Sequence, residues 1–268
     1  MKTAFAYFGN KSKAASEIWK RLGDVPYYYE PFAGTAAVLL RRPTPPRRES
    51  INDTDCQVTN FWRAAKFGNA DDWARLAQWP SSQLDFTARR KFVARNKGRI
   101  KQGLLSDPYW FDLEYAAFWC WVQCCKIAIN AKSIVMGRNK GIRCVDLTAY
   151  FVELKQRLKD VQLYYDNWTK LANDAARESK RCFCGIVLDP PYSGTIRQAN
   201  LYHEDDGEIA QLVARWARAI ATQRPKLRIA LCGYWGEHKM PSDWEEFAWN
   251  SQMGMGRERI WFSPSCVC

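Results

Sequence analysis

The chain has no long apolar run. Its longest apolar region, Tyr115–Ile129, carries Gln123 and Lys126 and falls short of the roughly 20 residues a helix needs to cross a bilayer. No membrane partner is expected. Met1–Phe8 has neither a long apolar core nor a small-residue cleavage site, so no secretory leader is read there. Ten cysteines in 268 residues are too sparse for a secreted disulfide scaffold. Cys124-Cys125, Cys182/Cys184 and Cys266/Cys268 lack the two-residue gap of a zinc knuckle. Reduced thiols, a cytoplasmic location and no metal are the expectations. There is no G-x-G-x-x-G fingerprint, no internal repeat and no low-complexity tract. Acid is also scarce: 28 Asp and Glu stand against 40 Lys and Arg, a formal charge of +12. An excess of that size favours a polyanionic partner, and nucleic acid is the commonest one.

The remaining composition, 47% hydrophobic and 25% charged, is that of an ordinary globular protein and argues against disorder. The length suits one large α/β domain, alone or with an insertion. The most informative stretch is Ile186-Val187-Leu188-Asp189-Pro190-Pro191-Tyr192. Three apolar residues read as a buried strand, and Asp189 lies where that strand emerges at its carboxyl end, where α/β sheets collect ligands. Two prolines forbid further pairing and impose a rigid, extended corner. Such a corner offers a carboxylate, a carbonyl and a ring face to something flat with hydrogens to donate.

A second strand end comes earlier. Tyr27–Glu30 reads as a strand and runs into Pro31-Phe32-Ala33-Gly34-Thr35, a small-residue turn followed by an expected helix through Leu40. Gly34 allows close approach of a ligand to the backbone. Ser50–Asn52 reads as a strand ending at Asp53, which suits either a ribose hydroxyl or the N-cap of a helix at Val58–Lys66. Lys11, just ahead of a helix at 12–22, could meet a carboxylate or phosphate or stay solvated. Later elements are a helix at Leu147–Leu158, a strand at Val161–Tyr165, a helix at Glu208–Ala221, a strand at Leu227–Cys232 and an antiparallel pair, Trp244–Trp249 with Arg259–Phe262.

The alternation breaks between about 67 and 145. This segment reads as mostly helical, with Arg89, Arg90, Lys91, Arg95, Lys97, Arg99 and Lys101 and no acid between Phe86 and Leu105. With Asn96 and Gly98 among them, these cations suit a phosphate-tracking loop or helix end. Lys132, Arg138 and Lys140 lie in a second polar, glycine-bearing loop. The expected division is a catalytic domain at 1–66 and 146–268 with a helical target-recognition insertion at 67–145.

Taken in order, these motifs resemble the Dam-type N6-adenine-specific DNA methyltransferases (D12 class, alpha-group), in particular their phage and prophage branch. Tyr7–Lys11 is similar to the aromatic-x-Gly-Gly-Lys element, with Asn10 in place of the second glycine. Glu30–Gly34 is similar to the E-P-F-x-G loop, Asn52-Asp53 to the N-D pair and Asp189–Tyr192 to D-P-P-Y. Where the family has an acid-aromatic pair after the third strand, this chain has Asn167-Trp168, with Asp166 one residue earlier.

The resemblance implies a Rossmann-like S-adenosylmethionine-dependent methyltransferase fold, a mostly parallel seven-stranded sheet with a terminal antiparallel hairpin. It implies S-adenosylmethionine as methyl donor, S-adenosylhomocysteine as product and no metal. Double-stranded DNA is the implied partner, with single-stranded DNA left open and a monomer favoured, in a bacterial cell or phage-infected host. Tyr7, Lys11, Pro31, Phe32, Gly34, Asp53, Asn167, Trp168 and Asp189 would bind the cofactor, with Lys11 on its methionine carboxylate. Asp189 and the Pro190 carbonyl would accept the N6 hydrogens of a flipped adenine, and Tyr192 would stack on it beside Pro191. Specificity is left open between a site-specific and a relaxed or non-specific enzyme, because the insertion displays charge rather than a base-reading pattern. The rival readings are a catalytically silent DNA-binding protein and a methyltransferase acting on cytosine N4 or RNA.

Overall fold

The computed structural model describes residues 1–5, 7, 9–77, 82–125, 146–191, 206–249 and 258–267. The strands are β1 (Tyr27–Glu30), β2 (Arg48–Asn52), β3 (Val161–Tyr164), β4 (Cys184–Leu188), β5 (Leu227–Tyr234), β6 (Glu245–Trp249) and β7 (Glu258–Phe262). The helices are α1 (Ala15–Leu22), α2 (Cys56–Phe67), α3 (Ala70–Ala77), α4 (Gln83–Ser106), α5 (Leu113–Cys125), α6 (Leu147–Leu158), α7 (Thr169–Glu178) and α8 (Asp206–Gln223).

The strand order is β3-β2-β1-β4-β5-β7-β6. β1 runs parallel to β2 and to β4, and β4 runs parallel to β5, whereas β7 is antiparallel to both β5 and β6. This is the expected seven-stranded, mostly parallel sheet with an antiparallel hairpin. Every residue of β4 is buried, as the central strands of parallel sheets are when both faces are covered. Strand order reverses between β1 and β4, and the carboxyl ends flanking such a reversal open a crevice. Glu30 and Leu188 end those two strands. The site begins just beyond them.

The chain divides into two compact units. One comprises Lys11–Ala33, Arg41–Ile51 and Trp168–Cys268. In it α1 buries Ile18, Trp19 and Leu22, with the Trp19 ring 4.7 Å from that of Tyr28 on β1. Arg21 reaches from α1 to the Glu245 carboxylate of β6 at 2.6 Å.

The other unit comprises Met1–Asn10, Gly34–Leu40 and Asn52–Asn167. Its core is aromatic: Phe5, Phe61, Trp62 and Trp119 meet edge to face or tilted, and Trp73 stacks on Phe151 at 4.2 Å. Here α2 and α6, expected with the catalytic domain, share a unit with α3, α4 and α5. Polar side chains of α2 fasten the turn between α4 and α5. Arg63 donates to the carbonyls of Leu104, Asp107 and Trp110, and Asn60 exchanges two hydrogen bonds with the Asp112 backbone.

Two local expectations are corrected. No α-helix runs from Ala36 to Leu40; there is only a 3-10 turn at Leu39–Arg41. Gly34 (φ 47°) and Ala36 (φ 46°) are both left-handed, and residues in that conformation cannot be built into a right-handed helix. The basic run is neither loop nor helix end, because it lies inside the 24-residue α4. The sequence around Asn96 and Gly98 carries enough helix-forming Arg, Lys and Ala to absorb the roughly 1 kcal/mol that a mid-helix glycine costs.

Candidate active site

The Asp189 corner belongs to the sheet unit. In register Leu188 pairs with Leu231, so Asp189 and Cys232 follow at neighbouring positions, and the two prolines take the chain out of the sheet. Lys11, 4% exposed, places Nζ 2.8 Å from Asp189 Oδ2 and 4.0 Å from the buried Glu258 Oε2. The same ammonium lies 5.8 Å from the centroid of the Trp249 ring. Burial pulls the Lys11 pKa down, but Asp189 and, more weakly, Glu258 outweigh it, and the pKa is raised. Lys11 therefore stays cationic. The sequence assigned this charge to a cofactor carboxylate; in the structure its close partner is the acid of the corner itself. Burial, reinforced by Asp189, raises the Cys232 thiol well above its ordinary value, which leaves it a neutral, unreactive neighbour.

Beyond β1, Pro31 is buried and Phe32 half-buried. The Phe32 ring stacks on Trp168 at 6.1 Å with 26° between planes, and Trp168 meets Trp216 of α8 edge-on. Two residues expected to bind the cofactor are thus brought together as an aromatic pair. At the end of the same strand, Tyr28 donates its hydroxyl hydrogen to the buried Glu30 carboxylate at 2.5 Å.

A second cluster lies in the helical unit. The Gly34 N–H donates to Asp53 Oδ2 and the Asp55 N–H to Asp53 Oδ1, both at 2.9 Å. The capping alternative for Asp53 is removed, because the N-cap of α2 is Asp55, whose side chain accepts from the Gln57 N–H. Burial, with Asp55 adding, lifts the Asp53 carboxyl to about 7, although the backbone donors oppose that rise. A side chain on Gly34 would come within 3.4 Å of the Tyr7 ring, so Tyr7 and the glycine turn are neighbours. Asn52 bridges to the Asp166 backbone with two hydrogen bonds of 2.9 Å. Asn167 is exposed beside it and donates its N–H to the Asp166 carboxylate.

The basic residues of α4 divide by exposure. Arg90, Lys97 and Lys101 are exposed at spacings of seven and four, and Lys91, Arg95 and Arg99 at spacings of four and four. At 3.6 residues per turn these make two stripes, the first beside and the second opposite the buried line of Phe86, Val93, Ile100 and Leu104. Arg99 also pairs with Asp112 at 2.5 Å. Arg89 departs from its assignment. It is 2% exposed and lies under the rings of Phe118 and Trp121, at 4.7 and 4.4 Å. Burial lowers its pKa, with Asp85 pushing back. Its position in the heptad line of the buried face makes it a packing cation instead of a phosphate anchor. Tyr192, Lys132, Arg138 and Lys140 lie outside the described residues.

Sequence reasoning missed Glu258, Thr59 and Trp62. Glu258 opens a strand, where an acid ordinarily reads as solvated. Thr59 and Trp62 look like ordinary helix residues, and their side-chain bonds to the loops are invisible without the fold. Their spacing of three after the Asn52-Asp53 pair was the available signal, since it puts both on one face of the helix. Among the described residues no group of three or more His, Cys, Asp or Glu could hold a metal ion, and no helix is long and apolar enough to cross a membrane.

A family model described as D12 class N6 adenine-specific DNA methyltransferase matches residues 7–215. No curated protein matches the chain.

Proposed function

Because the chain belongs to the D12 class of N6 adenine-specific DNA methyltransferases, we propose that it methylates N6 of an adenine drawn out of DNA, with S-adenosylmethionine as donor and with little sequence selection. The observation that carries this reading is the corner itself. A carboxylate and a proline carbonyl stand at the end of a buried strand, at the sheet's reversal point, with a cation 2.8 Å from the carboxylate.

The residues present fit the donor. In one unit Asp53 is a half-buried acceptor suited to ribose hydroxyls and Gly34 leaves space where a side chain would stand against Tyr7; in the other, taken by itself, Phe32 with Trp168 offers flat apolar surface. Pro31 and Asn167 flank these groups in sequence. When bound, S-adenosylmethionine supplies an activated methyl, so the protein's task is to position and to exclude water. The amino nitrogen of adenine is a poor nucleophile because its lone pair is delocalised into the ring. Asp189 and the Pro190 carbonyl accept its two hydrogens and turn that lone pair out of the ring plane. Lys11 holds the Asp189 carboxylate in place. No cysteine or serine nucleophile is needed. Tyr192 is assigned the stacking face for the extruded base, worth roughly 1–3 kcal/mol, comparable to the cost of extrusion.

Residues 67–145 are the proposed DNA-recognition insertion. Its exposed α4 cations, with Lys132, Arg138 and Lys140, would contact phosphates, which position the duplex without reading bases. Incubation with labelled S-adenosylmethionine and duplexes of varied sequence at low salt, followed by nucleoside analysis, is expected to yield N6-methyladenine. Asp189→Ala should cut the rate by roughly 10²–10³-fold while cofactor and DNA still bind. Wild-type protein that labels no adenine in any duplex would reject the activity, and undiminished labelling by Asp189→Ala would reject the mechanism.

A further inference from the structure

The Gly34 peptide is gripped from both sides. Its N–H donates to Asp53 Oδ2, and its carbonyl accepts from the indole Nε1–H of Trp62, each at 2.9 Å. One turn earlier on α2, Thr59 Oγ1 donates to the Asp53 carbonyl at 2.9 Å. Three hydrogen bonds thus tie Gly34 and Asp53 to each other and to Thr59 and Trp62 of α2, all within one compact unit. Trp62 is 2% exposed and packed against Phe5 and Phe61, so the rest of its ring is fixed and the N–H has a defined direction. The residue it holds is the one that most needs holding. Glycine at φ 47° has no side chain to lock its conformation and loses the most freedom when ordered.

We propose that Trp62 is a positioning residue for the cofactor loop. Its indole N–H sets the orientation of the Gly34 peptide, and through it the Asp53 carboxylate, toward the adenosyl part of the donor. The inference rests on the reading of the Gly34–Asp53 loop as a cofactor site. It adds a role for α2, whose other polar residues, Asn60 and Arg63, fasten the α4–α5 turn instead.

The test is calorimetric binding of S-adenosylhomocysteine to the full chain, paired with steady-state kinetics. Trp62→Phe keeps an aromatic ring and removes the donor. Replacement of Trp62 by benzothienylalanine keeps the whole bicycle and removes only the N–H, so it serves if the phenylalanine variant does not fold. Phe151→Leu, a core change in the same unit whose ring meets Trp73 and Tyr150 and not Trp62, is the reference for lost packing. Losing one hydrogen bond of this kind should weaken S-adenosylhomocysteine binding roughly three- to tenfold. KM for S-adenosylmethionine should rise by the same factor with kcat nearly unchanged. Phe151→Leu should lower the melting temperature and leave that Kd alone. Wild-type affinity in both Trp62 variants would overturn the proposal, as would an equal loss of affinity in Phe151→Leu. A wild-type protein that binds no S-adenosylhomocysteine would instead remove the loop reading on which the proposal stands.

Discussion

Asp53 carries its proton up to neutrality because burial, with Asp55 beside it, lifts its carboxyl from 3.8 to about 7. The folded state therefore binds this proton more tightly than the unfolded chain does. Its contribution to stability is full below about pH 3.8 and is lost as pH rises through about 7. Ligand binding runs the other way, since ribose hydroxyls donate best to the ionised form. Affinity for S-adenosylhomocysteine should rise about tenfold between pH 6 and pH 8, following the ionised fraction. Asp53→Asn should abolish that step in calorimetric titrations at the two pH values. Lys11 poses the opposite case. Its ammonium lies between Asp189 and Glu258, and Lys11→Met removes the positive charge near two carboxylates. Breaking such a buried pair costs about 3–5 kcal/mol. Urea denaturation should register that loss, and adding Glu258→Gln should return part of it.

Helix α4 separates its seat from its charge. Phe86, Arg89, Val93, Ile100 and Leu104 are buried, and six cations stand on the exposed faces. If Lys91 and Arg95 meet phosphates, Lys91→Gln and Arg95→Gln should each lower the slope of log Kd against log salt by about one. Binding should weaken equally on all duplex sequences. Arg89→Met should leave the slope unchanged and lower the melting temperature, because it removes a packed cation from beneath two rings. The same helix marks where sequence reading ended. Its charge was legible, because consecutive cations with no intervening acid need no fold to be seen. Its continuity was not, because Asn96 and Gly98 imitate a loop when tertiary support from α5 is out of view. Nor was the burial of Arg89, which depends on Phe118 and Trp121 arriving from another helix.

Across the whole molecule, local pattern located the strands and distance in sequence hid the connections. Tyr27–Glu30 and Leu147–Leu158 have the limits their patterns suggested, since aromatic runs and amphipathic spacing are local properties. The Asp189 corner was equally plain: an acid and two prolines after a buried strand mean the same in any context. Its partners Lys11 and Glu258 stand 178 and 69 positions away, and no local property of the chain links them. The sheet's connectivity adds a temporal consequence. β7 lies between β5 and β6 and is the only strand with which β6 pairs among the described residues. A nascent chain emerging from the ribosome can therefore assemble β1, β4 and β5 early, while β6 waits unpaired for Glu258–Phe262 to be synthesised. Glu258 reaches Lys11 only at that moment. The Lys11–Asp189 pair can thus form as soon as β4 has docked, and its second carboxylate arrives only with β7.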